Sequence, residues 1–134
     1  MNYEFLIRTV DGPVGVITLN RPQRRNALSL ALMRELIQCF DECAGDPSIR
    51  AIILTADGKV FSSVHDLSEM VGRTEDDYHE IFEVCTQLMA RIQSIGQPVI
   101  AQVDGIATAA GCHLVASCDL AIASEHDAFE TPGV

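Results

Sequence analysis

Four short apolar runs constrain this chain more than any other feature. They are Val14–Leu19 (VGVITL), Ala51–Thr55 (AIILT), Val99–Val103 (VIAQV) and Leu120–Ala123 (LAIA). Ala51–Thr55 is compact and β-branched, so it reads as a buried strand rather than a helix. The other three are equally short. Helical periodicity fills the gaps between them. Strand and helix therefore alternate, which is the pattern of an α/β domain with parallel pairing. The 134 residues suit one domain, long enough to bury roughly two thirds of the unfolded surface. A hydrophobic content of 48% supports a packed core rather than disorder.

The remaining elements follow in order. Tyr3–Val10 alternates, Asp11-Gly12-Pro13 turns, and the pair with Val14–Leu19 reads as a β-hairpin. Asn20–Leu28 is a polar, basic loop. Ser29 is a good N-cap, and Leu30, Met33, Ile37 and Phe40 repeat at helical spacing up to Ala44-Gly45, where glycine can cap. Val60-Phe61 starts the first of two key loops, and Asp66–Val71 suggests a short helix. Thr74 caps a longer helix from Glu75 to about Ile95, with Ile81, Val84, Leu88 and Ile92 on one face and Gly96 and Pro98 stopping it. The acidic start Glu75-Asp76-Asp77 suits the helix dipole. Thr108–Ala116 is Ala/Gly-rich and helical.

Charge and cysteine content remove several classes of function. A formal charge of −10 leaves no basic footprint for nucleic acid. No apolar run reaches the length of a membrane span. The five cysteines are odd in number and lack metal-finger or CxxC spacing, so they read as reduced thiols in a cytoplasm-like compartment. Cys39 and Cys43 share a helix face, and Cys112-His113 point apart as helix neighbours. His79 and His126 have no metal-ligand spacing around them, and no metal site is expected. MNYEFLIRTV is not an Arg/Ser-rich transit peptide. A matrix location in the mitochondrion would need a precursor trimmed before this numbering.

Two stretches carry the candidate chemistry, Val60–Met70 and Gln102–Asp119. Each reads as a short strand, a small-residue turn and a helix. Two such turns side by side would aim backbone N–H groups at one ligand oxygen. Donors of that kind help a reaction where negative charge develops in the transition state. The small residues Ala107–Gly111 let a ligand approach the backbone near a helix N-terminus, where free N–H groups and partial positive charge lie. The same small residues also serve plain tight helix packing.

Three segments weigh against that plainer alternative. Asn20-Arg21-Pro22…Asn26-Ala27-Leu28 resembles the N-R-P-x-x-x-N-A-L segment of the crotonase (enoyl-CoA hydratase/isomerase) superfamily. Phe61–Leu67 resembles its F-x-x-G-x-D-L segment, and Gly105–Ala123 its G-x-A-x-G-G-G-x-x-L-x-x-x-C-D-x-x-x-A run, with Ala109 and Ala110 in place of two glycines. The three stand in the right order and cover nearly the whole chain.

The resemblance implies a crotonase-like spiral of ββα units, here a single incomplete domain over residues 1–134 that stops before the family's C-terminal helical region. It implies binding of an acyl-CoA thioester, with coenzyme A as part of the substrate and no separate cofactor. The oxyanion donors would be the backbone N–H groups of His65 and Ala110. CoA would lie along Arg24, Arg25, Ala27, Ser63 and Asp66, with the two arginines meeting phosphate as charge-assisted donors. A solvated basic loop is the plainer reading of Arg24 and Arg25. Homo-oligomers are also implied, since a domain cut short exposes apolar surface.

Three departures bear on activity. Val64 stands where the motif has glycine, and a β-branched residue at positive φ costs on the order of 1–3 kcal/mol. His113 stands where hydratases carry a catalytic glutamate; it is a candidate acid or base, or a structural helix histidine. The second glutamate aligns with Gly133, and Glu130 is three positions early. Water addition between two carboxylates is not supported by these residues. The alternative to an acyl-CoA protein is a non-catalytic scaffold or subunit with the same fold.

Overall fold

The computed structural model describes residues 3–63, 65–66, 71–123 and 128–130. Strands β1 (Leu6–Asp11) and β2 (Val14–Leu19) form the expected antiparallel hairpin. Gly12 turns it at φ 58°, a left-handed conformation that glycine adopts without steric cost. Helix α1 spans Leu30–Ala44, followed by β3 (Ala51–Ala56) and β4 (Val60–Ser62). Helix α2 spans Glu75–Ser94, followed by β5 (Val99–Val103) and β6 (Ile106–Thr108). Helix α3 spans Ala110–Ser117, followed by β7 (Leu120–Ala123) and β8 (Ala128–Glu130).

The larger sheet has the order β1-β2-β3-β5-β7, parallel from β2 onward. Its register places Val16 beside Ile53, Ile53 beside Ile100, and Ile100 beside Leu120. The smaller sheet, β4-β6-β8, is parallel throughout. The chain passes from the larger sheet to the smaller one three times, from β3 to β4, β5 to β6 and β7 to β8. A helix intervenes before the chain returns, so the spiral of ββα units is realised.

The smaller sheet is where the sequence expectation needs correction. Ile106–Thr108 is strand rather than the start of a helix, so α3 begins at Ala110 instead of Thr108. A three-residue strand is too short to announce itself by periodicity. It forms because β4 already offers a parallel partner. Gly105 permits the approach: its φ is 114°, and a Cβ there would stand 2.2 Å from the Lys59 carbonyl oxygen.

The helices start as the sequence indicates. The Ser29 hydroxyl accepts from Leu32 N–H at 3.1 Å. Thr74 and Asp77 form a reciprocal capping box at the start of α2. The inward face of α1 differs from the expected stripe. Leu32, Met33, Leu36, Cys39, Phe40 and Cys43 are buried, whereas Leu30 and Ile37 are only partly so. α1 packs against the sheet on one side and α2 on another, so its covered arc is rotated from a simple i, i+3, i+4 pattern. Gly45 caps α1 in right-handed conformation at φ −82°, so no left-handed cap is used. Ion pairs Arg34–Glu80 and Arg91–Asp41 join α1 to α2 at the surface. Ile81, Val84, Leu88 and Ile92 of α2 are buried as expected. The far edge of the larger sheet is β7, where Leu120 and Ile122 are each 63% exposed.

Candidate functional site

The site is built where three chain segments meet: the loop Asn20–Leu28, the end of β4 with the residues beyond it, and the start of α3. Asn26 organises the first. It is fully buried and left-handed at φ 49°, a conformation that asparagine tolerates better than most residues. Its Oδ1 accepts from Arg21 N–H at 2.8 Å. Its Nδ2 donates to the carbonyls of Asp57 and Val60, both at 2.9 Å. Its own carbonyl accepts from the Ser62 hydroxyl at 2.9 Å. The loop is thus wrapped around one side chain and pinned to β4.

Both ends of this loop hold the dipeptide His65-Asp66. Asp66 N–H donates to the Leu28 carbonyl at 3.4 Å, within an isolated parallel bridge between Leu28 and His65. In that register His65's own N–H is directed away from Leu28. Arg21 approaches the Asp66 carboxylate at 3.6 Å, and its guanidinium lies 4.7 Å from the centre of the Phe5 ring. The His65 ring meets Phe82 of α2 edge-on, with centroids 5.6 Å apart and planes at 89°.

The third segment approaches from α3. Gly111 N–H donates to the Ser63 carbonyl at 3.0 Å. A Cβ on Gly111 would stand 2.3 Å from the Ser62 carbonyl oxygen, so only glycine fits. Ala110, the first residue of α3, is therefore held close to the chain leading to His65. Ala109 before it has φ 46° and ψ −116°, a backbone conformation that suits glycine and strains alanine.

The other expected site residues fall in different surroundings. Ala27 is 8% exposed, Ser63 partly buried, and Arg24 and Arg25 are exposed. Asp66 is 8% exposed and faces Arg21. His113 is exposed on α3; its carbonyl accepts from the Ser117 hydroxyl at 2.9 Å. Val64, residues 67–70 of the expected short helix, and Gly133 lie outside the described residues. Glu130 is described as backbone, paired in parallel with Thr108. Among the described residues no group of three or more His, Cys, Asp or Glu side chains is arranged to hold a metal. Nor is any described helix long and apolar enough to cross a membrane.

Reading the residues alone missed the Arg21–Asp66 pair and the buried hydroxyl of Ser62. Asn26 carried a weak signal, because asparagine is a frequent choice for a left-handed position.

The sequence profile of enoyl-CoA hydratase/isomerase matches residues 9–134. The Xenopus laevis mitochondrial enoyl-CoA hydratase domain-containing protein 3 is 52% identical over 119 residues, covering 88% of this chain and 40% of that protein. The crystal structure of the human protein of that name superposes with a TM-score of 0.92 at 43% identity, covering 97% of this chain and 52% of that one. A Mycobacterium smegmatis enoyl-CoA hydratase superposes with a TM-score of 0.90 at 48% identity, covering 94% and 50%. The chain thus spans about half the length of these relatives.

Proposed function

Because this chain belongs to the enoyl-CoA hydratase/isomerase family, we propose that it binds an acyl-CoA thioester and polarises the thioester carbonyl with the backbone N–H groups of His65 and Ala110. The observation that carries this reading is the convergence of the two segments: Gly111 N–H on the Ser63 carbonyl draws the start of α3 to the chain leading to His65. His65's N–H is turned from Leu28 by the parallel bridge. Ala110 stands at a helix N-terminus, where the dipole favours negative charge. Charge that develops on a thioester oxygen during enolate formation or addition would be stabilised there.

The anionic part of CoA needs local cations on a chain of net charge −10. Arg24 and Arg25, exposed beside buried Ala27, are the proposed phosphate contacts. Ser63 contributes backbone, and Asp66 acts by holding Arg21. Proton transfer, where the bound thioester reacts, falls to His113, one turn beyond Ala110. Self-association belongs to this reading as an expectation drawn from the family. The mitochondrial name of the similar Xenopus protein supports a mitochondrial setting rather than a cytoplasmic one.

One observation favours a second reading. His113, at the position of a hydratase glutamate, is a solvent-exposed histidine. A chain that keeps the fold without turnover, as a scaffold or subunit, fits that replacement. Calorimetric titration with an acyl-CoA analogue whose thioester sulphur is replaced by methylene separates the two. Saturable binding that is lost in His65→Pro supports the first reading, since proline has no N–H to donate. A folded chain that takes up no analogue supports the second.

A further inference from the structure

We propose that Ser62 is a positioning residue that fixes the separation of the two candidate donors, His65 N–H and Ala110 N–H. The inference rests on the oxyanion reading above and assigns it a mechanical centre. Ser62 is fully buried at the end of β4. It lies at a position that the F-x-x-G-x-D-L segment leaves open. Its hydroxyl donates to the Asn26 carbonyl at 2.9 Å. That bond sets the distance between β4 and the loop whose Leu28 end bridges to His65. Its carbonyl is the surface against which Gly111 rests, 2.3 Å from where a Cβ would stand. The adjoining Ser63 carbonyl receives Gly111 N–H at 3.0 Å. One residue therefore touches the support of the first donor through its side chain and the support of the second through its backbone.

A residue that merely satisfied a buried carbonyl would behave differently from one that couples two donors. Removing the hydroxyl in Ser62→Ala leaves the Asn26 carbonyl without that donor and lets β4 shift against the loop. A shift of β4 carries the Ser62 and Ser63 carbonyls with it, and with them the start of α3. Both donor amides then move together, although Ala110 is 48 positions away in the chain.

Amide NMR spectra of the ligand-free 134-residue chain test this. Displacement of both the His65 and Ala110 amide signals in Ser62→Ala is the expected result. Displacement confined to Asn26 and Ala27 would overturn the proposal. Ser62→Cys, close in shape and weaker as a donor, is expected to move both signals in the same directions by less, and covers the case in which Ser62→Ala does not fold. Unmoved donor signals in Ser62→Cys together with a weakened Ser62–Asn26 bond would also overturn it. In titrations, Ser62→Ala is expected to weaken the methylene acyl-CoA analogue about tenfold and free CoA by clearly less. Equal weakening of both ligands would contradict positioning of the carbonyl donors. Paired amide shifts in a chain that binds no acyl-CoA would leave the coupling standing and remove the oxyanion reading alone.

Discussion

Gly111 lies so close to Ser62 that a Cβ on it would stand 2.3 Å from the Ser62 carbonyl oxygen. The contact is backbone against backbone, so no flexible side chain can yield. Gly111→Ala must push α3 away from β4 and lengthen the 3.0 Å bond from Gly111 N–H to the Ser63 carbonyl. A loss of about 2–4 kcal/mol is expected in denaturant unfolding. A variant within about 0.5 kcal/mol of the parent would show that the two segments separate without cost.

Ala109 presents the opposite case. Its φ of 46° with ψ −116° places a Cβ where L-residues are disfavoured. Ala109→Gly relieves that strain and also supplies a better N-cap than alanine. The larger unfolded-state entropy of glycine offsets part of the gain. A net stabilisation of about 1 kcal/mol is expected, seen in calorimetry as a rise in Tm of roughly 4 °C. An unchanged or lower Tm would mean that the alanine is accommodated without strain.

The chain's larger sheet was legible because its strands carry their own signal. VGVITL, VIAQV and LAIA became strands over the residues expected. Caps Ser29 and Thr74 likewise act within a few residues of their own position. Strand β6 of the smaller sheet was not legible, because Ile106–Thr108 owes its conformation to β4, more than forty positions earlier. At the site, the motif residues Asn26 and Gly111 stood out by resemblance, but the reasons for them are long-range. Asn26 binds Asp57 and Val60, and Gly111 abuts Ser62. Ser62 itself had no local signature.

Asn26 answers three backbone groups with one side chain: Arg21 N–H and the carbonyls of Asp57 and Val60. Asn26→Ala leaves all three without that partner at a fully buried position and keeps a left-handed φ that alanine resists. A loss of about 3–5 kcal/mol is expected from urea midpoints at unchanged m. A loss below about 1 kcal/mol would mean that these groups find other partners.

Cys43 gives the chain a pH dependence outside the site. The Cys39 thiol donates to the Cys43 sulphur, and Arg8 adds nearby positive charge; against burial, these pull the Cys43 thiol down to about 7. The folded value lies below the ordinary thiol value. Its stabilising contribution is therefore present above that ordinary value and is lost as pH falls through about 7. Thiolate absorbance in the folded chain is expected to rise with a midpoint near 7. Cys39→Ala, which removes the donor, is expected to move the midpoint upward. A first thiolate appearing only in the ordinary thiol range would contradict this account.

The most direct measurement is the infrared stretch of a carbonyl-13C acyl-CoA bound to the chain. A shift to lower wavenumber is expected on binding, because the two proposed N–H donors would polarise the thioester carbonyl. His65→Pro is expected to lose most of that shift. A ligand that binds with its carbonyl stretch at the solution position, or a shift unchanged in His65→Pro, would contradict the assignment of His65 and Ala110 as the oxyanion donors.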